Sequence, residues 1–327
     1  MPPHQGEPAL SDGPTTTTDG TVLQRTLKSS ISCTGVGLHS GRKIAMMLHP
    51  AGADTGIRIR RTDLPTQPTI PVTWKHVADT RMATTIGDGN GASVGTVEHL
   101  MAALAGMHID NAIIDVDGPE IPVMDGSAAP FVFLVECAGV AEQDSPRRAI
   151  RILRKVAVRE NGKSIALLPG QGFTVRFEID FDTKAIERQA LSVQLVNGTF
   201  KNELARARTF GFTHEVDALR KAGLALGGSL DNAVVINGNR VLNKEGLRFS
   251  DEFVRHKIID FLGDLYLAGA PIIGEAQCAC SGHALNHKLL AALFADERAW
   301  CWSEMTAEDI AHSAAPTWAE PAVAAHA

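Results

Sequence analysis

The 327-residue sequence predicts an α+β fold of two like domains facing each other, and three observations predict it. The length exceeds the usual size of a single domain. Strand-like runs are followed by helical patterns instead of alternating with them in a regular βαβ repeat. A faint internal echo links the two halves. "EHLMAALAGMHIDNAIIDVDG" and "RHKIIDFLGDLYLAGAPIIGEAQCACSG" each set a His near the start of an apolar helix, followed by Ala-Gly, a turn and a strand.

Residues 1–20 carry Pro, Gly, Thr and Asp without an apolar core, so they are expected to form a disordered leader, neither a signal peptide nor a spanning segment. Apolar alternation predicts strands over 43–48 and 57–60, a helix over 97–105, a strand over 112–116 and a helix over 130–138. "TGVGLHSGR" at 34–42 spaces its glycines as neither a dinucleotide fingerprint nor a P-loop and reads as a turn. "AEQDSPRR" at 141–148 is charged and contains Pro. It reads as the linker between an N-terminal domain over 21–143 and a C-terminal domain over 144–308. Strands over 149–158, 164–168 and 174–179 follow, then helices over 214–222, 250–267 and 286–296. The Ala- and Pro-rich stretch 309–327 is expected to be a disordered tail.

Composition narrows the function class. A formal charge of -6 argues against a nucleic-acid binder, which needs a basic face. Five cysteines, none in a C-x-x-C pair, indicate neither a disulfide framework nor a cysteine zinc knuckle and fit a reducing compartment. Asn197-Gly198-Thr199 reads as a turn, since no secretory signal accompanies the sequon.

The chemistry is carried by "RHKIIDFLGDLYLAG" at 255–269. His256, Asp260 and Asp264 lie four apart and share one side of the helix, with Val254, Ile258, Phe261, Leu262 and Leu265 opposite. A solvated polar face is one reading. The other is a metal site, because the stripe is narrow, bordered by large apolar groups, and holds a His and a carboxylate at the spacing that lets both reach one ion. "TVEHLMAAL" supplies the remainder: Thr96 can cap the helix, Glu98 then sits in its first turn, and His99 points about 100° away from Glu98. His99, His256 and Asp260 would give three ligands with an open position, the pattern of a catalytic zinc site. Zinc lowers the pKa of a water it holds to about 7, and Glu98 would take that proton. His283, in "SGHALNHKLL", would protonate a leaving amine if Asp264 keeps it charged. The Lys257 ammonium would neutralise an oxyanion. Manganese or iron would suit the same donors, with zinc the default where no redox chemistry is indicated. Small and apolar residues over 207–236 would line a slot for a hydrocarbon chain, or form ordinary core.

"TGVGLHSG", "TVEHLMAAL", "IDNAIIDVDGPEIPVMDGSAAPF", "RARTFGF", "GLRFSDEFVRHKIIDFLGDLYLAG" and "SGHALNHKLL" resemble, block by block and in order, the UDP-3-O-acyl-N-acetylglucosamine deacetylases, zinc amidases of lipid A synthesis in Gram-negative bacteria. The resemblance covers about 21–303. It implies two α+β domains, each a two-layer α/β sandwich, with the active site between them. It implies hydrolysis of the N-acetyl group of UDP-3-O-[(3R)-3-hydroxyacyl]-N-acetylglucosamine to the 2-amine and acetate. It implies that His99, His256 and Asp260 bind zinc, that Glu98 is the general base and His283 the general acid, and that Asp264 orients and charges His283. Lys257 and Thr209 would contact the substrate carbonyl and its oxyanion, and Phe210, Gly211 and Phe212, with 225–235, would border the acyl passage. The position of Ala83 is often cysteine in relatives, and that cysteine is not one of the three ligands. The expected partner is the UDP-sugar substrate, with no nucleic acid and no stable membrane insertion, and the expected protein is a cytoplasmic monomer. Two rivals are a zinc amidohydrolase acting on another N-acyl sugar, and a metal-stabilised binding module whose site would be closed.

Overall fold

The computed structural model describes residues 17 and 20–311. Most of the leader expected over 1–20, and 312–327 of the expected tail, lie outside the described residues. Residues 309–311 belong to a short closing helix, Ala307–Ala311, so the tail expected from 309 starts later.

Both halves are two-layer α+β units. In the first, a five-stranded sheet runs in the spatial order Ile31–Val36, Lys43–Pro50, Ala112–Val116, Ile57–Arg61, Thr69–Pro71, with one parallel pair and otherwise antiparallel neighbours. Alternate burial along Lys43–Pro50 and Ala112–Val116 puts Ile44, Met46, Leu48, Ile114 and Val116 on the core side. Helices α1 (Glu98–Gly106) and α2 (Ala129–Ala138) share that core. In the second half, the strand Ile272–Ala279 lies at the heart of a seven-stranded sheet. It pairs in parallel with Phe173–Phe181 and Arg148–Ile152 and antiparallel with Lys163–Leu168. A short polar helix, α3 (Thr213–Lys221), comes next; α4 (Glu252–Tyr266) and α5 (His283–Ala295) are the principal helices of this half. Each half also carries a small three-stranded sheet: Val77–Asp79, Thr85–Gly87 and Ser93–Val94 in the first, and Phe210–Phe212, Val234–Asn237 and Arg240–Val241 in the second.

The internal echo corresponds to α1 and α4, which pack against each other where the halves meet. Gly263 makes that approach possible. A Cβ built there would stand 1.9 Å from the Glu98 carbonyl oxygen, so the two helices touch backbone to backbone at the residue that carries the Glu98 carboxylate. On its other sides α4 packs Phe261 against Phe177 and Phe253 against Phe210, and Tyr266 donates its hydroxyl proton to the Ile109 carbonyl at 2.8 Å. One hydrophobic cluster therefore runs through both halves, from Ile59 and Leu100 to Phe177 and Leu289.

Three expectations are corrected. Most of the 141–148 segment is not a loop: Val140–Pro146 is a strand paired antiparallel with Leu23–Leu27. Its polar side chains alternate outward from an edge pair, which imitates a linker composition. The strand expected over 149–158 is two, Arg148–Ile152 and Val156–Glu160, separated where Leu153 bonds back to the Ala299 carbonyl. Within 34–42, residues 34–36 complete the strand Ile31–Val36, and the chain turns only over 38–40.

Candidate active site

The polar stripe of α4 is not solvated. Glu252, His256, Asp260 and Asp264 are 0, 2, 4 and 3 % exposed, so four polar side chains on successive turns lie in the interior, and each requires a partner. Glu252 finds Arg208, itself buried. The guanidinium donates from Nε to Oε1 at 2.9 Å, and the Arg208 and Arg248 backbone N–H groups complete the carboxylate's bonding. That pair anchors the chain just before Thr209.

His256 donates from Nδ1 to the Ala207 carbonyl at 3.0 Å. This hydrogen bond fixes the tautomer and, in the neutral ring, leaves the Nε2 lone pair directed away from it. His256 Nε2 is buried and has no hydrogen-bond partner among the described residues. It stands 3.3 Å from Asp260 Oδ1, and His99 Nε2 stands 3.4 Å from the same oxygen. The two imidazoles meet edge-on, 4.8 Å between centroids at 81°. One donor atom from each of the three residues falls within 4.8 Å of the others. Metal–ligand bonds of ~2.0–2.1 Å around a tetrahedral ion set its ligand atoms about 3.3 Å apart. The donor chemistry, the spacing and the orphaned His256 Nε2 fit a small divalent cation. Burial chiefly lowers the His99 pKa, against the Asp260 hydrogen bond, which favours the neutral ring a metal needs. For Asp260, burial is the largest single influence and acts upward. Lys257, His256 and His99 together outweigh it and hold the carboxyl well below its ordinary range.

Around this trio stand the other expected residues. Glu98 is the first residue of α1, buried, with burial pushing its carboxyl up to about 7, countered by His283. Thr96 does not cap the helix. Its φ is +54°, and its hydroxyl donates to Glu120 Oε1 at 2.8 Å, while Val97 occupies the cap position. His283 heads α5 and does not sit in a preceding loop; its Nε2 lies 3.9 Å from Glu98 Oε1 and its Nδ1 donates to Asp264 Oδ2 at 2.8 Å. Burial pulls the His283 pKa down most strongly, but the charge and hydrogen bond of Asp264, with Glu98 and Asp260, carry it up to about 9. Lys257 Nζ donates to Asp260 Oδ2 at 2.7 Å, and the neighbouring carboxylates keep it an ammonium in spite of burial.

Glu98, His99, His256, Lys257, Asp260 and His283 line a cavity of about 180 Å³ with Leu38, Ala83, Thr209 and Phe210, while Asp264 stands behind His283 and does not line it. A roomier cavity of about 570 Å³ adjoins it and shares Met82, Phe181, Lys257 and His283. Gly211 and Phe212 are not among the residues lining the smaller cavity; Phe212 reaches it only through the Phe181 ring, 6.0 Å away. Leu38, Met82, Thr84, Glu120, Phe181, Asn286 and Gly263 also contribute, and no sequence pattern used above marks them. Asn286 donates to Asp264 Oδ2 at 2.8 Å and receives Ser281 at 2.6 Å. Its place in "HALNHK", three residues after His283 on a helix, was the available signal.

Known proteins show which family shares this sequence. The family model described as UDP-3-O-acyl N-acetylglycosamine deacetylase matches residues 24–295. A UDP-3-O-acyl-N-acetylglucosamine deacetylase from Acidithiobacillus ferrooxidans is 52% identical over 281 residues, 85% of this chain and 92% of that protein. Proteins of the same name from Vibrio parahaemolyticus and Pseudomonas entomophila are 49% identical over 289 residues (88% and 95% of the two chains) and 50% identical over 281 residues (85% and 92%).

Proposed function

This chain belongs to the UDP-3-O-acyl N-acetylglycosamine deacetylase family, and from that premise we propose that it hydrolyses the acetamide of UDP-3-O-[(3R)-3-hydroxyacyl]-N-acetylglucosamine, releasing acetate and the 2-amine for lipid A synthesis. The observation that carries the reading is the convergence of three buried ligand atoms with a carboxylate and an imidazolium 3.9 Å apart beside them.

His99, His256 and Asp260 would hold the metal, which we take to be zinc. Bound there, zinc supplies a Lewis acid for the substrate carbonyl and for the attacking water. The chain's own groups divide the proton work. Glu98, with its carboxylate made more basic by burial, accepts the proton of the attacking water. His283, kept protonated by Asp264, delivers the Nε2 proton to the sugar nitrogen as the carbon–nitrogen bond breaks, so the leaving group departs as the neutral amine. Water adds oxygen to the acetyl carbon, and the products are acetate and amine. Lys257 and Thr209 flank the reacting carbonyl, where an ammonium and a hydroxyl favour its anionic oxygen. Of the residues expected beside the acyl passage Phe210 lines the smaller cavity; Gly211, Phe212 and 225–235 would border the passage farther out, where each buried methylene would contribute ~0.8 kcal/mol, or about fourfold in binding.

We place the domain boundary between 143 and 144, within the strand that pairs back to Leu23–Leu27. Among the described residues no helix is long and apolar enough to cross a membrane. We take the protein to work as a cytoplasmic monomer.

The test is acetate release from the UDP-sugar before chelation, after it, and with zinc restored. Loss and recovery are expected. A folded, zinc-loaded protein that releases no acetate refutes the substrate assignment, and turnover indifferent to acyl length favours another N-acyl sugar.

A further inference from the structure

Thr84 is 1 % exposed and belongs to neither helix of the site, yet it engages both. It lies just before the strand Thr85–Gly87, in the small sheet of the first half. Its backbone N–H donates to Glu98 Oε2 at 3.0 Å, its carbonyl accepts the Val97 N–H at 3.2 Å, and its hydroxyl donates to Asp264 Oδ1 at 2.5 Å. The same hydroxyl oxygen lies 3.3 Å from His283 Nδ1. One residue thus spends all three of its polar groups on the start of α1, from the first half, and on the Asp264–His283 pair, from the second.

We propose that Thr84 is a positioning residue that holds the Glu98 carboxylate and the Asp264–His283 pair in fixed register across the two domains. Two carboxylates approaching a shared space repel each other and would splay α1 from α4 if no donor stood between them. Thr84 supplies a donor to each. The hydroxyl occupies the Asp264 oxygen that His283 and Asn286 do not use, since both of those bond Oδ2. Asp264 is therefore held at both oxygens, and the rotation that would carry His283 away from Glu98 is blocked. A threonine suits the position because a β-branched side chain has few rotamers, so the hydroxyl is directed before Asp264 arrives.

This inference rests on the deacetylation reading, and the experiment separates the two. Thr84→Val keeps the shape and the backbone N–H but removes the donor, and Thr84→Ser keeps the donor. Initial rates of acetate release, bound metal per chain and melting temperature are measured for both, and for Thr84→Val combined with Asp264→Ala. Loss of a hydrogen bond to a charged partner predicts a kcat about ten- to a hundredfold lower in Thr84→Val. KM is expected within about twofold and metal content unchanged, with Thr84→Ser restoring most of the rate. In the Asp264→Ala background Thr84→Val should cost nothing further, because the group it holds is gone. The proposal is overturned by full kcat in Thr84→Val, by equal impairment in Thr84→Ser, or by losses that multiply in the double variant. A parent protein that releases no acetate would overturn the deacetylation reading instead.

Discussion

Replacing Gly263 with alanine sets two effects of opposite sign against each other. Alanine in a helix interior gains about 1 kcal/mol over glycine, so by propensity alone α4 should become more stable. The new methyl would stand 1.9 Å from the Glu98 carbonyl oxygen, 2.7 Å from its carbonyl carbon and 2.9 Å from its Cα, all backbone atoms. Ordinary contact begins near 3.4 Å, so α1 and α4 must separate by about 1.5 Å. Overpacking of this kind costs about 1–3 kcal/mol, which offsets the propensity gain and leaves the melting temperature equal to the parent's or lower by up to about 3 °C for a chain of this size. Activity suffers more. The displaced helix carries Glu98 and His99, the stationary one His256 and Asp260, and a misplacement of about 1 Å costs about a hundredfold in rate. Circular-dichroism melting, zinc titration and acetate-release kinetics on Gly263→Ala would show a folded protein with weakened metal binding and a kcat lower by about two orders of magnitude. A melting temperature raised by several degrees with parental kcat and metal affinity would refute the close approach, and with it the reason the base faces Asp260 and Asp264.

Two further outcomes are expected. The rate should depend on pH as a bell. It rises as Glu98 loses its proton, at about 7 or below because a cation bound beside it favours the carboxylate, and falls at about 9 or below as His283 loses the proton it must donate, since the same cation disfavours the imidazolium; a pH–kcat profile flat between 6 and 10 would remove both assignments. Glu252→Ala leaves the buried Arg208 guanidinium with the exposed Glu245 and the Gly246 carbonyl, and should cost about 3–5 kcal/mol, lowering the melting temperature by about 5–8 °C. A calorimetric shift under about 2 °C would show that the pair is not needed to anchor Thr209.

Much of the site was legible because it is local. The 3.6-residue period aligns His256, Asp260 and Asp264 whatever surrounds the helix, and the chemistry of His beside carboxylate narrows the use of such a stripe. The first-turn position of Glu98, the angle of about 100° between it and His99, and the class and order of the helices derive from the same periodicity. Strands were harder to read. Ile272–Ala279 alternates buried and open positions from Gly274 on and follows the turn after the second echo helix, whereas Val140–Pro146, paired along one edge with Leu23–Leu27, is polar enough to pass for a linker.

Helix period and residue chemistry fix which side chains each helix presents together and what those side chains can do. That the α4 stripe is dry, that His99 comes within 3.4 Å of Asp260, and that Thr84 reaches Asp264 across 180 positions of chain follow from long-range packing. Helix periodicity depends on backbone geometry and is written in consecutive residues. The meeting of α1 with α4 depends on one missing side chain at Gly263 and on the packing of two sheets that have no sequence proximity, and no local pattern encodes that contact.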